Sequence, residues 1–296
     1  MFNSKIINMV EDTYLQGGNI MQFLSSVNQG GENSREAILL SYDYQAGTYV
    51  AAYKKNPAPL ERYTKQISDE IGKLGEFTNI LEAGVGEATT FNRITSNLNI
   101  APKNSYGFDI SWSRIKTGND FLQECSFVDS NLFVADLFDI PLSDNSMDIV
   151  YTSHSIEPNG GNEKPILEEL YRVTSKYLLL FEPDYEFASD DAKRRMESHG
   201  YIKNLYATAK ELGYKVIKRE LLPFSTNPLN PTSVIIIEKQ SISKPKNIFR
   251  CPVSKTELIN AGEIYFSEES HLMYPVIKNI PCLLKSYAVF GFKYVL

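Results

Sequence analysis

Cysteine is scarce in this chain. Cys125, Cys251 and Cys282 are three residues with no close pair, which argues against a disulfide framework. Long apolar runs are also missing: no stretch approaches the ~20 residues of a membrane span. The opening "MFNSKIINMVEDTYLQ" breaks its apolar residues with Asn, Glu and Asp, so it has no uninterrupted signal-peptide core. The expectation is a cytoplasmic protein without membrane association. Blocks of lysine or arginine are absent and the formal net charge is -6. Proteins that live on phosphate backbones usually carry a basic stripe, so nucleic acid is disfavoured as a partner. Neither internal repeats nor low-complexity tracts are found, and no motif fixes an oligomeric state.

What is present suffices for a sizeable core: 296 residues with 43% apolar composition suit one large domain or two of unequal size. Leu60, Tyr63, Ile67, Ile71 and Leu74 recur at helical spacing and stop at Gly75, which predicts a helix with a glycine cap. Strand-like and helix-like segments then alternate through "TNILEA", a helix from Thr89, "SYGFDI", a helix capped by Ser111, "NLFVAD", "MDIVYTS", a helix from Asn162, and "KYLLLFEP". That rhythm implies a parallel sheet with helices on both faces. A helix is expected around residues 190 to 212, followed by "YKVIKRELL" and "TSVIIIEK". Their connection is too short for a helical crossover, so these two strands should pair antiparallel. The polar "QSISKPKN" at 240–247 marks a boundary. The expected organisation is an N-terminal helical lid over 1–59, an α/β domain over 60–240 and a small β-rich module over 248–296.

Chemistry is concentrated in "ILEAGVGEATT", residues 80–90. If "NILEA" is a central strand, Glu82 lies at its carboxyl end, and Gly84 and Gly86 let the backbone approach a ligand closely. A dinucleotide fingerprint would place a third glycine where Thr89 stands. A carboxylate two residues before the first glycine would also repel phosphates, whereas it can accept hydrogen bonds from an ammonium group. The next strands end in Asp109 and Asp136, so three carboxylates line the carboxyl edge of three strands. The second suits ribose hydroxyls, and the third suits an adenine amino group. A nicotinamide-dependent oxidoreductase shares the acid at the second strand tip but also wants the missing glycine.

In this order "ILEAGVGEATT", "YGFDIS", "ADLFDIPLSDNSMDIVYTSHSIE" and "YLLLFEP" resemble the successive signature segments of class I S-adenosylmethionine-dependent methyltransferases. The resemblance covers roughly residues 60–239. It implies a Rossmann-like, seven-stranded, mostly parallel sheet with an antiparallel terminal hairpin. It further implies S-adenosylmethionine as cofactor, S-adenosylhomocysteine as product and no metal. Glu82, Ala83, Gly84 and Gly86 would hold the methionine end, Asp109 with Ile110 the ribose side, and Asp136 with Leu137 the adenine.

Methyl transfer from a sulfonium is an in-line displacement that needs alignment, water exclusion and sometimes a base. The loop "TSHSIEPNGG" supplies His154 and Glu157 as candidate catalytic residues, His154 as a general base and Glu157 to bind a cationic or hydroxyl-bearing substrate. Both also have plain loop-forming readings, while His199 and His271 are peripheral by position. Upstream, Tyr42, Tyr44 and Tyr49 offer apolar faces with polar tips for a buried small acceptor, methylated on oxygen or nitrogen; packing of that helix on the sheet is the alternative.

Finally, "FRCPVSKTELI" and "SHLMYPVIKNIPCLL" resemble a zinc-ribbon-like family that includes activator subunits of RNA and protein methyltransferases. Ser254 replaces the second cysteine of the first pair and no second pair is seen. A structural zinc site wants four Cys or His ligands, so the expectation is that fold without metal, docked on the catalytic domain or completing its pocket, with partner binding as the alternative. The module keeps RNA or protein methylation open as the alternative function, supported if the Lys244 to Arg250 segment is a free basic face. A noncatalytic donor-binding protein is the third possibility.

Overall fold

The computed structural model describes residues 4–18, 20–27, 34–127, 130–241 and 245–294; part of the expected boundary segment, with Lys244, lies outside them. Helices lead the chain: α1 (Ser4–Leu15), α2 (Ile20–Val27), α3 (Arg35–Tyr44) and α4 (Thr48–Lys55). The Ser34 hydroxyl accepts from Ala37 N and so caps α3. α5 (Ala58–Gly72) buries Tyr63, Ile67 and Ile71 on one side, as the spacing predicts. It stops short of Gly75, because Leu74 N bonds back to Ile71 O in a tightened last turn and Gly75 then turns the chain at φ 83°.

The alternation follows in order: β1 (Asn79–Ala83), α6 (Thr89–Ser96), β2 (Asn104–Asp109), α7 (Trp112–Glu124), β3 (Ser130–Val134), β4 (Met147–Ser153), α8 (Glu163–Val173) and β5 (Thr174–Pro183). α9 (Asp190–Ser198), α10 (Leu205–Glu211), β6 (Lys215–Leu221) and β7 (Thr232–Glu238) complete it. The sheet has seven strands in the order β3-β2-β1-β4-β5-β7-β6. β1 to β5 run parallel, and β7 is antiparallel to both β5 and β6. Because side chains alternate across a strand, Ile80 packs with Ile67, Ile71 and Ile94 of α5 and α6. Its neighbour Leu81 faces Ile166, Leu167 and Leu170 of α8 on the other side. Burying each such side chain contributes about 1.5–3 kcal/mol.

The expected helix at 190–212 is broken. Gly200 adopts φ 63° and Tyr201 N bonds to Met196 O, which closes α9. The break has a positional consequence, since Gly160 N donates to Gly200 O and Ile202 N to Glu157 O, tying this turn to the loop after β4.

The C-terminal strands β8 (Ile259–Asn260), β9 (Ile264–Ser267), β10 (Leu272–Ile277), β11 (Ile280–Pro281) and β12 (Val289–Phe290) form a small antiparallel sheet. It lies along the β3 edge: Leu283 N donates to Val134 O, and Cys282 and Leu284 pack with Leu132 and Val134. Phe249 meets Phe133 edge-on at 5.2 Å and Tyr265 at 5.2 Å. Within this module Cys251 is fully buried, with Sγ 3.5 Å from Ser270 Oγ and 3.3 Å from Tyr274 Oη. Ser254 Oγ meets Ser267 Oγ at 3.1 Å. Burial would raise the thiol's pKa, but hydrogen bonds from Ser254, Ser270 and Tyr274 outweigh it and pull it down to about 6. His271 stands apart from that cluster, 5.1 Å from the Phe292 ring. Among the described residues no group of three or more His, Cys, Asp or Glu could hold a metal ion, and no helix is long and apolar enough to cross a membrane.

Candidate active site

A cavity of about 240 Å³ opens at the carboxyl ends of β1, β2, β3 and β4, beneath α3 and α4. This is the point where the strand order reverses, where open α/β sheets characteristically bind ligands. Six of the expected cofactor residues line it: Gly84, Gly86, Asp109, Ile110, Asp136 and Leu137.

The turn after β1 needs its first glycine. Gly84 has φ 77°, and a Cβ there would lie 2.3 Å from Ser155 Cβ. Its amide and that of Val85 donate to Phe108 O at 2.9 and 2.8 Å, which folds the turn against the end of β2. Asp109 then receives Gly86 N at 3.1 Å on one oxygen and Ser111 N at 2.9 Å on the other. Burial pushes the Asp109 carboxyl above its ordinary range, against the opposing pull of Arg114 and these amides. Asp136 accepts Phe138 N at 2.9 Å and Arg35 Nη1 at 3.0 Å, with the guanidinium 4.2 Å above the Phe138 ring.

Glu82 and Ala83 do not reach the cavity wall. The Ala83 carbonyl accepts Ser155 Oγ at 2.6 Å. Strand alternation points Glu82 into the Ile80 layer, where Thr90 Oγ1 and Tyr151 Oη each donate to it at 2.8 Å. Burial raises its pKa to about 8 although both hydroxyls oppose the rise. The carboxylate expected to meet an ammonium group is therefore a floor residue in this conformation.

Tyr42 and Tyr49 line the roof of the cavity, whereas Tyr44 does not: its ring packs edge-on against Tyr14 at 5.1 Å among the leading helices. His154, at the tip of β4 with φ 51°, forms part of the wall. Its Nδ1 is 3.1 Å from Glu157 Oε2 and its Nε2 is 2.8 Å from Thr232 Oγ1. Thr232 Oγ1 donates to Asn230 O, so it accepts from Nε2. Burial would lower the imidazole pKa, but the bond to Glu157 and the charges of Glu157 and Glu182 raise it. His154 and Glu157 thus form a hydrogen-bonded pair in which the proton on the imidazole is favoured, with Glu182 buried behind them at a pKa lifted by burial to about 7.

Among the wall residues that the sequence reading did not assign to the site, three stand out. Tyr63, read as a core residue of α5, lines the cavity and bonds Ser153 Oγ at 3.1 Å. Arg35 and Arg114 also line it. Arg114 did leave a signal, since it occupies the same buried stripe of α7 as Gly118, Phe121 and Leu122, an odd place for a charge.

Residues 81–179 match the family model described as "Methyltransferase domain". No curated protein sequence matches the chain significantly. Among solved structures, the chain is similar to a chain of the complex between the Trm112 methyltransferase activator of Haloferax volcanii and a proposed methyltransferase. That similarity has 12% identity and a TM-score of 0.52, covering 69% of this chain and 100% of that one. It is also similar to magnesium protoporphyrin IX methyltransferase from Synechocystis PCC 6803, solved with bound S-adenosylhomocysteine, at 13% identity and a TM-score of 0.50, covering 67% of this chain and 97% of that one. Both likenesses are of fold.

Proposed function

We propose that the chain is a class I S-adenosylmethionine-dependent methyltransferase, a reading supported by the methyltransferase-domain match over residues 81–179, and that it methylates a small-molecule acceptor, on oxygen or nitrogen, inside the roofed cavity. The observation that carries the reading is the roof itself: Tyr42 and Tyr49 on the leading helices and Tyr63 on α5 wall the same cavity as the glycine turn and the strand-tip acids. In this assignment the Gly84 to Gly86 turn takes the methionine end and Asp109 the ribose hydroxyls. Ile110 and Leu137 flank the adenine, with Asp136 at its amino group. The bound donor supplies an electrophilic methyl on a sulfonium. The chain's own part is to align the acceptor atom with that methyl and exclude water.

His154 and Glu157 act as a pair. With Nδ1 bonded to Glu157 and Nε2 to Thr232, neither ring nitrogen of His154 is free to take a proton from the acceptor, so His154 contributes orientation, and Glu157 is the carboxyl it positions. Asn159 and Ser155 of the same loop complete the wall. An RNA or protein acceptor would want an open cleft and a free basic face; Arg250 is instead committed to Asp144 at 3.0 Å.

Titration of the purified protein with S-adenosylhomocysteine, beside an Asp109→Ala variant and an NADH control, tests the donor half. Micromolar binding lost in the variant is expected. Absence of binding, or preference for NADH, removes the reading. A panel of small amines, phenols and carboxylic acids run with the donor then tests the acceptor half, and turnover confined to RNA or protein would overturn it.

A further inference from the structure

Arg114 is a buried cation whose charge acts on the Asp109 carboxyl. It is 5% exposed, yet no carboxylate among the described residues forms an ion pair with it. Nε donates to Tyr42 O at 2.9 Å, and Nη2 is buried with no hydrogen-bond partner. The guanidinium lies between two aromatic faces, 4.6 Å from the Tyr42 centroid and 4.7 Å from that of Tyr49. Such a slot holds the planar group in place but does not neutralise it.

Three carboxylates stand nearby, and all are already engaged. Both oxygens of Asp109 accept backbone amides, from Gly86 and Ser111. Asp43 accepts Ser111 Oγ at 2.7 Å, Ser113 N at 3.1 Å and Ser113 Oγ at 2.9 Å. Glu87 accepts Gly47 N at 3.0 Å and Val50 N at 2.8 Å. A desolvated charge with an idle donor is costly unless something pairs with it. The idle Nη2 calls for an acceptor, and a planar fork of donors matches a carboxylate best.

Position names the source. Arg114 lines the cavity, and its Nη1 lies 3.5 Å from where a Cβ on Gly86 would stand. That is the turn assigned to the methionine end of the donor. We infer that Arg114 receives the α-carboxylate of the donor, so that this end is recognised by a guanidinium clamped under the N-terminal helices. The inference rests on the proposed donor orientation and deepens it. It also accounts for the roof residues: the tyrosines that cover the cavity are the ones that hold the guanidinium.

Two ligands isolate the carboxylate. S-adenosylhomocysteine carries it, whereas S-adenosyl-3-thiopropylamine keeps the ammonium and loses only that group. Calorimetric titration of the full chain with both is run on wild type, Arg114→Met and Arg114→Lys. Wild type should prefer S-adenosylhomocysteine by roughly 10- to 100-fold, the range of a hydrogen bond between charged groups. R114M should abolish the preference by weakening that ligand alone. R114K, which keeps the charge and loses the fork, should retain an intermediate preference and guards against misfolding of the methionine variant. Equal weakening of both ligands, or an unchanged preference in R114M, overturns the assignment while leaving the methyltransferase reading intact. Failure of wild type to bind either ligand removes both.

Discussion

The sheet carries two additions, and the balance of their contacts differs, although Tyr53 of the first also meets Phe121 edge-on and the second adds ion pairs from Arg250 to Asp144 and from Lys255 and Lys285 to Asp139. The N-terminal helices cover the strand tips through polar contacts: Asp43 takes Ser111 and Ser113, Glu87 takes the amides of Gly47 and Val50, and Arg35 pairs with Asp136. The C-terminal module covers the β3 edge through a backbone bond from Leu283 to Val134 and through Phe249, Cys282 and Leu284 packed on the sheet. Apolar area returns to water only when the contact is lost outright, at about 25 cal/mol per Å². A protein hydrogen bond exchanges with water at a net ~1 kcal/mol. The difference predicts that the cover opens more easily than the edge strip, and the strip keeps β3 from being an open edge.

The largest effect expected from this comparison is at the edge. Phe249→Ala removes a ring in contact with Phe133, Tyr106 and Tyr265. It should destabilise the whole chain by about 3 kcal/mol, in the range of aromatic truncations. Denaturant unfolding followed by tryptophan fluorescence is a direct check, because Trp112, the single tryptophan, lies on α7 of the main domain. A separate early transition confined to the module, with the main transition unmoved, would mean that the edge strip is an independent body and break the comparison.

How much of this was legible depends on the range of the interaction that decides it. The strand tips were, because an acid at the end of an apolar run and glycines after it are local signals: Gly84, Gly86, Asp109, Ile110, Asp136 and Leu137 all line the cavity. Glu82 was placed at the right strand end, but on alternation with Ile80 it points into the helix layer, where Tyr151 from another strand holds it. Tyr44 was grouped with Tyr42, although two residues along a helix turn a side chain through about 200°, and it packs on Tyr14 instead. The break of the expected helix at Gly200 has a local signal in the glycine itself. The docking of the module on Val134 has none, since pairing across some 150 residues leaves no periodicity to read.

The next effect belongs to the sheet beneath both additions. Burial lifts the Glu82 carboxyl to about 8 and that of Glu182 to about 7, whereas both fall near 4.3 in an unfolded chain. Between pH 5 and pH 7 the folded protein therefore holds protons that the unfolded chain has released. This stabilisation is complete below about pH 4 and is lost as pH climbs through 7 and 8, with a slope of about 1.4 kcal/mol per pH unit for each whole proton. His154, raised by Glu157 after burial is overcome, acts in the same sense. Urea unfolding at pH 5.5 and 7.5 should show the loss, and Glu82→Gln should make the curve flatter. An unchanged slope in E82Q would mean that Glu82 is ionised where it lies, and would return it to the role of an ammonium acceptor.

The smallest effect on stability, and the sharpest on function, is expected at the cover. Glu87 is 2% exposed and its two oxygens receive the amides of Gly47 and Val50, the latter in the first turn of α4. Glu87→Gln keeps one acceptor and turns the other position into a donor that faces a donor. The cost should be about 1–2 kcal/mol, felt first at the Gly47 to Val50 segment, whose amides are the hydrogen-bond partners of that carboxylate. Hydrogen exchange should quicken across residues 42–50 and leave β1 to β5 unchanged. Donor affinity should fall further than stability does, since the same segment brings Tyr42 and Tyr49 over the cavity and over Arg114. If exchange instead quickens throughout the sheet, the cover is part of the core in the same sense as the edge strip, and ligand entry must follow some path other than its lifting.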